Sequence, residues 1–356
     1  MTQASPTGEL SETPAPRRLG ALRDFLRTEA GGAIVLLGAT IVALAGVNSA
    51  WADSYHALWA TEVSLQWGDR ELGMDLAHWV NDGLMTFFFL LIGLEVRREL
   101  DMGEFRERRR IAAPVIAALG GMLLPIAIFL ALTAGSEGAR GWAMVMATDT
   151  AFAVGVLALV GRRSSFRLRT FLLTLVIVDD IAAVLVIAVV YSSDLQPAAL
   201  GIAVGLLVVM AALRAIGFQR PWVYVLLGVG IWLATLESGV HPTIAGVAIG
   251  LLTSAHPPRR AVLERASGLA RAFRQRPSAE LASEAARGIT LSLSPNERAQ
   301  HALHPWSSFV VVPLFALANA GVELDGELLD RALGSTLVVG IVLGLVVGKT
   351  IGIPLG

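Results

Sequence analysis

The stretch that decides the fold is Phe171–Tyr191, FLLTLVIVDDIAAVLVIAVVY. It is apolar over a length that crosses a bilayer, for which a helix needs ~20 residues. Asp179 and Asp180 interrupt it near the middle. A carboxylate at bilayer mid-depth costs roughly 2.5–3.5 kcal/mol on insertion scales. Two together need a reason beyond packing, and the default reading is an ion or proton pathway. Neighbouring helical residues point ~100° apart. Asp179 and Asp180 therefore cannot share one partner; one facing a cavity and the other a neighbouring helix satisfies the geometry.

Composition agrees with that reading. The 356 residues are 54% hydrophobic and only 16% charged, with a mean hydropathy of +0.64. An average soluble domain is ~25% charged. The deficit and the repeated apolar runs indicate an all-α polytopic membrane protein. The formal net charge of −1 gives no reason to expect nucleic acid as a partner. The lack of cysteine excludes disulfides, thiolate metal sites, iron–sulfur clusters and cysteine nucleophiles. One of the 28 basic residues is a lysine, Lys349, and it lies inside the last apolar segment. An arginine-biased composition explains the other basic residues but not the place of this exception. A buried lysine can lose its proton, whereas arginine stays charged. Lys349 is therefore read as functional.

Residues 1–30 form an N-terminal segment and 31–356 a membrane domain. Ten apolar segments are expected: Gly31–Val47, His78–Leu94, Ile111–Thr133, Trp142–Val160, Phe171–Tyr191, Ala198–Leu213, Val223–Leu236, Thr243–Thr253, Ser307–Ala320 and Leu337–Ile353. Between the first two, 48–75 is polar and aromatic. Its alternation at Glu62–Gln66 predicts a short β-hairpin outside the membrane. Residues 256–304 form an arginine- and alanine-rich loop, with an amphipathic helix expected around Ala261–Arg274. With the N-terminus inside, the inner loops 97–110, 161–169, 214–220 and 256–304 hold nearly all the arginines. The opposite loops hold only Arg70, Arg140 and Arg331. The positive-inside rule then places the N-terminus, 256–304 and Gly356 in the cytoplasm.

The ionisable groups at depth are Asp149, Asp179, Asp180 and Lys349, with Asp82 and Glu95 nearer the ends of the second segment. Interacting carboxyls release protons in coupled steps that belong to the group. Asp, Thr hydroxyl and backbone oxygens also suit a hard cation. A site that takes either converts a proton gradient into cation movement. The blander reading is a structural network of Asp149, Asp179 and Lys349; several ionisable groups at depth favour function over it. Thr148, Asp149 and Thr150 compete with regular helix through their short polar side chains. The sequence leaves a broken and an unbroken helix equally open. Glu95, Arg98 and Glu99 share one helix face, and His301 and His304 have i, i+3 spacing. These read as a pH-response region, or as a salt-bridged helix end and an interfacial histidine pair. His241 reads as a loop residue ahead of Pro242. Two other classes compete. An intramembrane aspartyl protease would pair Asp149 with Asp179 or Asp180, but its YD and GxGD contexts are absent and Lys349 gains no role. A passive cation channel also fits the composition.

ATDTAFAVGVLALVG, LTLVIVDDIAAVLVI, NDGLMTFFFLLIGLEVRREL, GVHPTIAGV, HPWSSFVVVPLFALANAGV and GLVVGKTIGI occur in order along the chain. Together they resemble the NhaA-type sodium/proton antiporters, from about Gly31 to the end. The resemblance implies an inverted-repeat antiporter fold in a bacterial inner membrane. It implies electrogenic export of sodium or lithium against more than one proton, activated at alkaline pH, with no cofactor beyond the transported ions. It makes Asp180 the main sodium ligand and proton carrier. Asp179 pairs with Lys349, and Thr148 and Asp149 belong to a broken helix near the site. Asp82 sits at the cation mouth. Glu95, Arg98, Glu99, His301 and His304 match the pH-response region, and the 48–75 hairpin matches a homodimer contact. Two departures bear on the pH profile: Gln300 stands where many members carry Glu, and the loop before it is longer than usual. The family has twelve spanning helices and ten are expected here. The resemblance thus implies that the sequence stops before a second broken helix, and that a chain ending at Gly356 transports little or nothing.

Overall fold

The computed structural model describes residues 29–67, 70–103, 108–146, 166–190, 192, 194–218, 220–256, 260–324, 326 and 334–355. Helix α1, Glu29–Val47, turns through 118° into α2, Ala52–Trp59. Strands β1, Glu62–Trp67, and β2, Arg70–Asp75, pair antiparallel from Glu62↔Asp75 to Trp67↔Arg70. The hairpin thus fills only the second half of the 48–75 segment. Strand-like alternation begins at Glu62, whereas Ala52, Ala57 and Leu58 favour helix.

Helix α3 runs Leu76–Met102 and contains a π-helical turn at Trp79–Leu84. Then come α4, Arg108–Thr133, a 3₁₀ helix, Glu137–Val145, and α5, Phe166–Val190. Helices α6, Pro197–Ala215, and α7, Pro221–Glu237, each open on a proline, whose missing N–H costs nothing in the first turn. Helix α8 is Thr243–Leu252. Helices α9, Arg260–Gln275, and α10, Ala279–Leu291, pack as a helical hairpin where one amphipathic helix was expected. Ser278 accounts for the second helix: its hydroxyl caps α10 by accepting from the Leu281 N–H at 3.2 Å. Helix α11 spans Pro295–Asn319, with a π-helical turn at Ser307–Val311. It starts well before Ser307 because Ser294 caps it, accepting from the Glu297 N–H at 3.1 Å. Helix α12, Thr336–Leu355, carries a third π-helical turn at Gly344–Gly348.

Among the described residues, five helices are long and apolar enough to cross a membrane: α3, the Ala112–Thr133 part of α4, α6, α11 and α12. The bent α1–α2 pair makes a sixth, and α7 and α8 are shorter apolar helices. Ile202, Val208, Val225 and Val229 are exposed on these helices. Such exposure is ordinary where lipid replaces water.

Two close helix contacts organise the bundle. Helix α8 lies against α3 so tightly that a Cβ on Gly246 would overlap the Thr86 carbonyl. Helix α12 lies against α4, where a Cβ on Gly348 would sit 2.7 Å from the Pro125 Cα. Small residues let backbones approach in this way when lipid supplies no hydrophobic drive. Ala117, Ala118 and Met122 of α4 meet Met146, at the end of the 3₁₀ helix, and Leu175 of α5 in one core. Met210, Ile231 and Ala245 join α6, α7 and α8 in another. Gly246→Leu should destabilise the protein by about 1–3 kcal/mol or more, because the backbones must part. Thermal unfolding in detergent measures this, and an unchanged midpoint contradicts the contact.

The start of α3 has its own pH dependence. Asp75 Oδ1 accepts from the His78 N–H at 2.7 Å and lies 2.7 Å from His78 Nδ1. These bonds hold the Asp75 carboxyl below its ordinary value. A depressed folded value means the cap is intact above the unfolded value of ~3.9 and is lost as pH falls through the folded one. Asp75→Ala should therefore speed amide exchange at His78 at neutral pH, by about the fivefold that ~1 kcal/mol of lost capping implies. The difference from wild type should vanish once acid protonates Asp75; equal exchange at neutral pH contradicts it.

Candidate ion-binding site

Helix α5 carries Asp179 and Asp180. Asp179 is 7% exposed and Asp180 half-buried. Both interact with neighbouring groups. Thr174, on the same helix, is also buried. Opposite them, Lys349 follows Gly348, the residue whose missing side chain lets α12 press on Pro125. That contact sets the height of the lysine. Its Nζ donates to the Met146 carbonyl at 2.9 Å, across 203 residues of sequence. Asp179 is close enough for its charge to act on Lys349. The structure thus brings together Asp179, Lys349 and the chain just ahead of Thr148. Thr148 and Asp149 themselves lie outside the described residues. Among the described residues no three His, Asp or Glu side chains converge as a metal site would need.

A second polar centre surrounds Asp82, on the π-helical turn of α3. Its backbone carbonyl accepts from Thr86 Oγ1 at 2.6 Å and from Trp232 Nε1 at 2.8 Å. Trp232 stacks on Trp79, whose Nε1 donates to the Val63 carbonyl of β1 at 3.0 Å. The hairpin, α3 and α7 are thereby linked at one place. The Asp82 carboxylate is 15% exposed, and its Oδ1 lies 3.8 Å from Nδ1 of His241. That is an ion-pair distance but too long for a hydrogen bond. The buried His241 Nδ1 indeed has no hydrogen-bond partner among the described residues. Close by, Asn81 and Asn319 exchange hydrogen bonds at 3.3 and 2.8 Å. His241 is a loop residue ahead of Pro242, as the sequence suggests, and its place beside Asp82 is what the sequence does not show. Its only signal was its place in GVHPTIAGV, two residues ahead of the helix that packs on Thr86.

The pH-response candidates lie where α3 and α11 pack together. Glu95 and Glu99 are half-buried; Arg98, His301 and His304 are exposed. What joins the two helices is Asn296, which is wholly buried. Its Nδ2 donates to the Leu94 carbonyl at 2.8 Å and to that of Thr253 at 3.4 Å. Gln300 Nε2 donates to Asn296 Oδ1 at 2.8 Å. A carboxylate at 300 has no proton to give to that oxygen. The amide therefore suits this knot.

The fold and these centres define a helical, multi-pass membrane protein with charged groups held inside its bundle. The model of the family described as Na+/H+ antiporter 1 matches residues 23–356. Na(+)/H(+) antiporter NhaA 1 of Salinispora arenicola is 52% identical over 321 residues, covering 90% of this chain and 49% of that protein. Na(+)/H(+) antiporter NhaA 3 of Salinispora tropica is 50% identical over 330 residues, covering 93% and 50%. Na(+)/H(+) antiporter NhaA 3 of Frankia alni is 43% identical over 326 residues, covering 92% and 70%. The chain belongs to the Na+/H+ antiporter 1 family, a family of transporters rather than enzymes. It spans about half the length of the Salinispora proteins it matches.

If Asp179 and Lys349 hold each other, their substitutions will not be additive. Asp179→Asn and Lys349→Met should each destabilise the protein in detergent. The double variant should lose less than the sum, by a coupling of about 0.5–3 kcal/mol. Additive losses contradict the pairing.

Proposed function

We propose that this chain is the membrane part of an electrogenic sodium/proton antiporter that also takes lithium. On this reading it is a secondary active transporter of a bacterial inner membrane, exporting sodium and regulating internal pH and sodium. The observation that carries the reading is the buried Asp179 beside the chain's single lysine, on helices that meet at Met146. The names of the relatives support it.

In this mechanism Asp180 is the main ion ligand and proton carrier. Cytoplasmic sodium displaces protons from Asp180 and from the Asp179–Lys349 pair. With sodium bound, the site opens outward, releases the ion and is reprotonated. Thr148 and Asp149 complete the oxygen set. Asp82, with its carbonyl pinned by Trp232 and Thr86, keeps its carboxylate available at the cation mouth. Glu95, Arg98, Glu99, His301 and His304 set the pH response. A ligand shifts the two-state equilibrium only by its differential affinity for the two states.

The finer architecture belongs to the same reading. The ten expected segments are ten of the family's twelve, arranged as inverted repeats. Residues 1–30 and the 256–304 loop are cytoplasmic, and 31–356 is the membrane domain. A homodimer forms through the hairpin in 48–75.

Everted vesicles holding the full-length protein test the proposal. Sodium added to energised vesicles should dissipate the pH gradient, and Asp180→Asn should reduce that response at least a hundredfold. Normal exchange by Asp180→Asn contradicts the assignment. Sodium flux independent of the pH gradient indicates a channel instead.

A further inference from the structure

Three helices reach the same end of the bundle: α3 through Arg97, α6 through Arg214 and Ala215, and α8 at Leu252. A cleft of about 300 Å³ opens between them, lined by Arg97, Ala211, Arg214, Ala215 and Leu252. Arg97 Nε donates to Asp101 Oδ2 at 2.9 Å. The same carboxylate accepts from the Ala255 N–H at 3.4 Å and lies 3.3 Å from His256 Nδ1. It is only 12% exposed. Arg214 feels the charges of both Arg97 and Asp101. Among the described residues Asp101 pairs with Arg97 and His256 and accepts from a backbone amide, while Arg214 makes no ion pair. One positive charge is left over at the cleft.

That surplus has a specific chemistry. A guanidinium presents a planar fork that matches phosphate oxygens two at a time. Ala211, Ala215 and Leu252 give the cleft an apolar wall beside its two cations. Helices α6 and α8 end there, so the cleft opens where spans leave the apolar layer and where lipid phosphates lie. We propose that this cleft binds a phosphate-bearing anion between Arg97 and Arg214, with Asp101 fixing the Arg97 fork. The site is separate from Asp179, Asp180 and Lys349, and it stands whether or not the chain exchanges sodium for protons.

The test is thermal unfolding of the full chain in a neutral detergent. It is titrated with phosphatidylglycerol or phosphatidylcholine, and with inorganic phosphate or chloride at equal ionic strength. A ligand of the native state raises the midpoint with concentration. Phosphatidylglycerol or phosphate should raise it, and phosphatidylcholine and chloride should not. Arg214→Gln should weaken that response about tenfold or more, the loss of one charge-assisted contact. Ala215→Trp fills the cleft without changing its charge and should weaken it similarly, which guards against misfolding of the arginine variant. A response to the lipid alone makes the source a headgroup with its chains. A response to both shows that the phosphate group suffices. No shift with either ligand, or shifts unchanged in both variants, overturns the site.

Discussion

A buried carboxylate facing a half-buried lysine is the constraint on which the rest of this structure depends. Removing one partner of such a pair leaves the other charge without its counter-ion in an apolar medium, which is costly. Asp179 and Lys349 come from helices far apart in sequence, so the bundle must bring them together. The contact of Gly348 with Pro125 seats α12 on α4 and sets the height of the lysine. The Met146 carbonyl accepts a hydrogen bond from its ammonium, and the core of Met146 and Leu175 holds α5 at the same level. The lysine thereby ties together α12, α5 and the end of the 3₁₀ helix.

The centre at Asp82 is built on a different principle. The protein binds the backbone carbonyl of that residue twice and leaves its carboxylate 3.8 Å from a histidine nitrogen. A carboxylate so placed is oriented without being neutralised by a close hydrogen bond. The π-helical turn makes this possible, since it breaks the regular ladder at the residue whose carbonyl is needed. Gly246 packs on Thr86 two residues beyond the turn.

Helical class, the apolar runs of the five spanning helices and the presence of charge at Asp179, Asp180 and Lys349 within apolar segments were legible in the sequence. They rest on local apolar runs and on the cost of charge at depth. The family was legible from long motifs in fixed order. What escaped was long-range or decided by a cap. The Trp232 bond to Asp82 spans 150 residues, and nothing in the local pattern around His241 announced its partner. Asn296 lies inside the expected 256–304 loop, yet it is wholly buried and joins three segments. Gln300 stood out only as a departure from a family pattern; its bond to Asn296 gives that departure a physical sense. Helix α10 was hidden inside an alanine-rich loop because its signal is one capping serine.

On the proposed mechanism sodium and protons compete for the same carboxyl oxygens. The direct measurement is proton release from the purified full-length protein in weakly buffered detergent, followed with a pH indicator as sodium is added. Competition predicts that sodium releases protons in a saturable way, that lithium does the same, and that Asp180→Asn abolishes the release. Saturable sodium binding that releases no protons at any pH contradicts it.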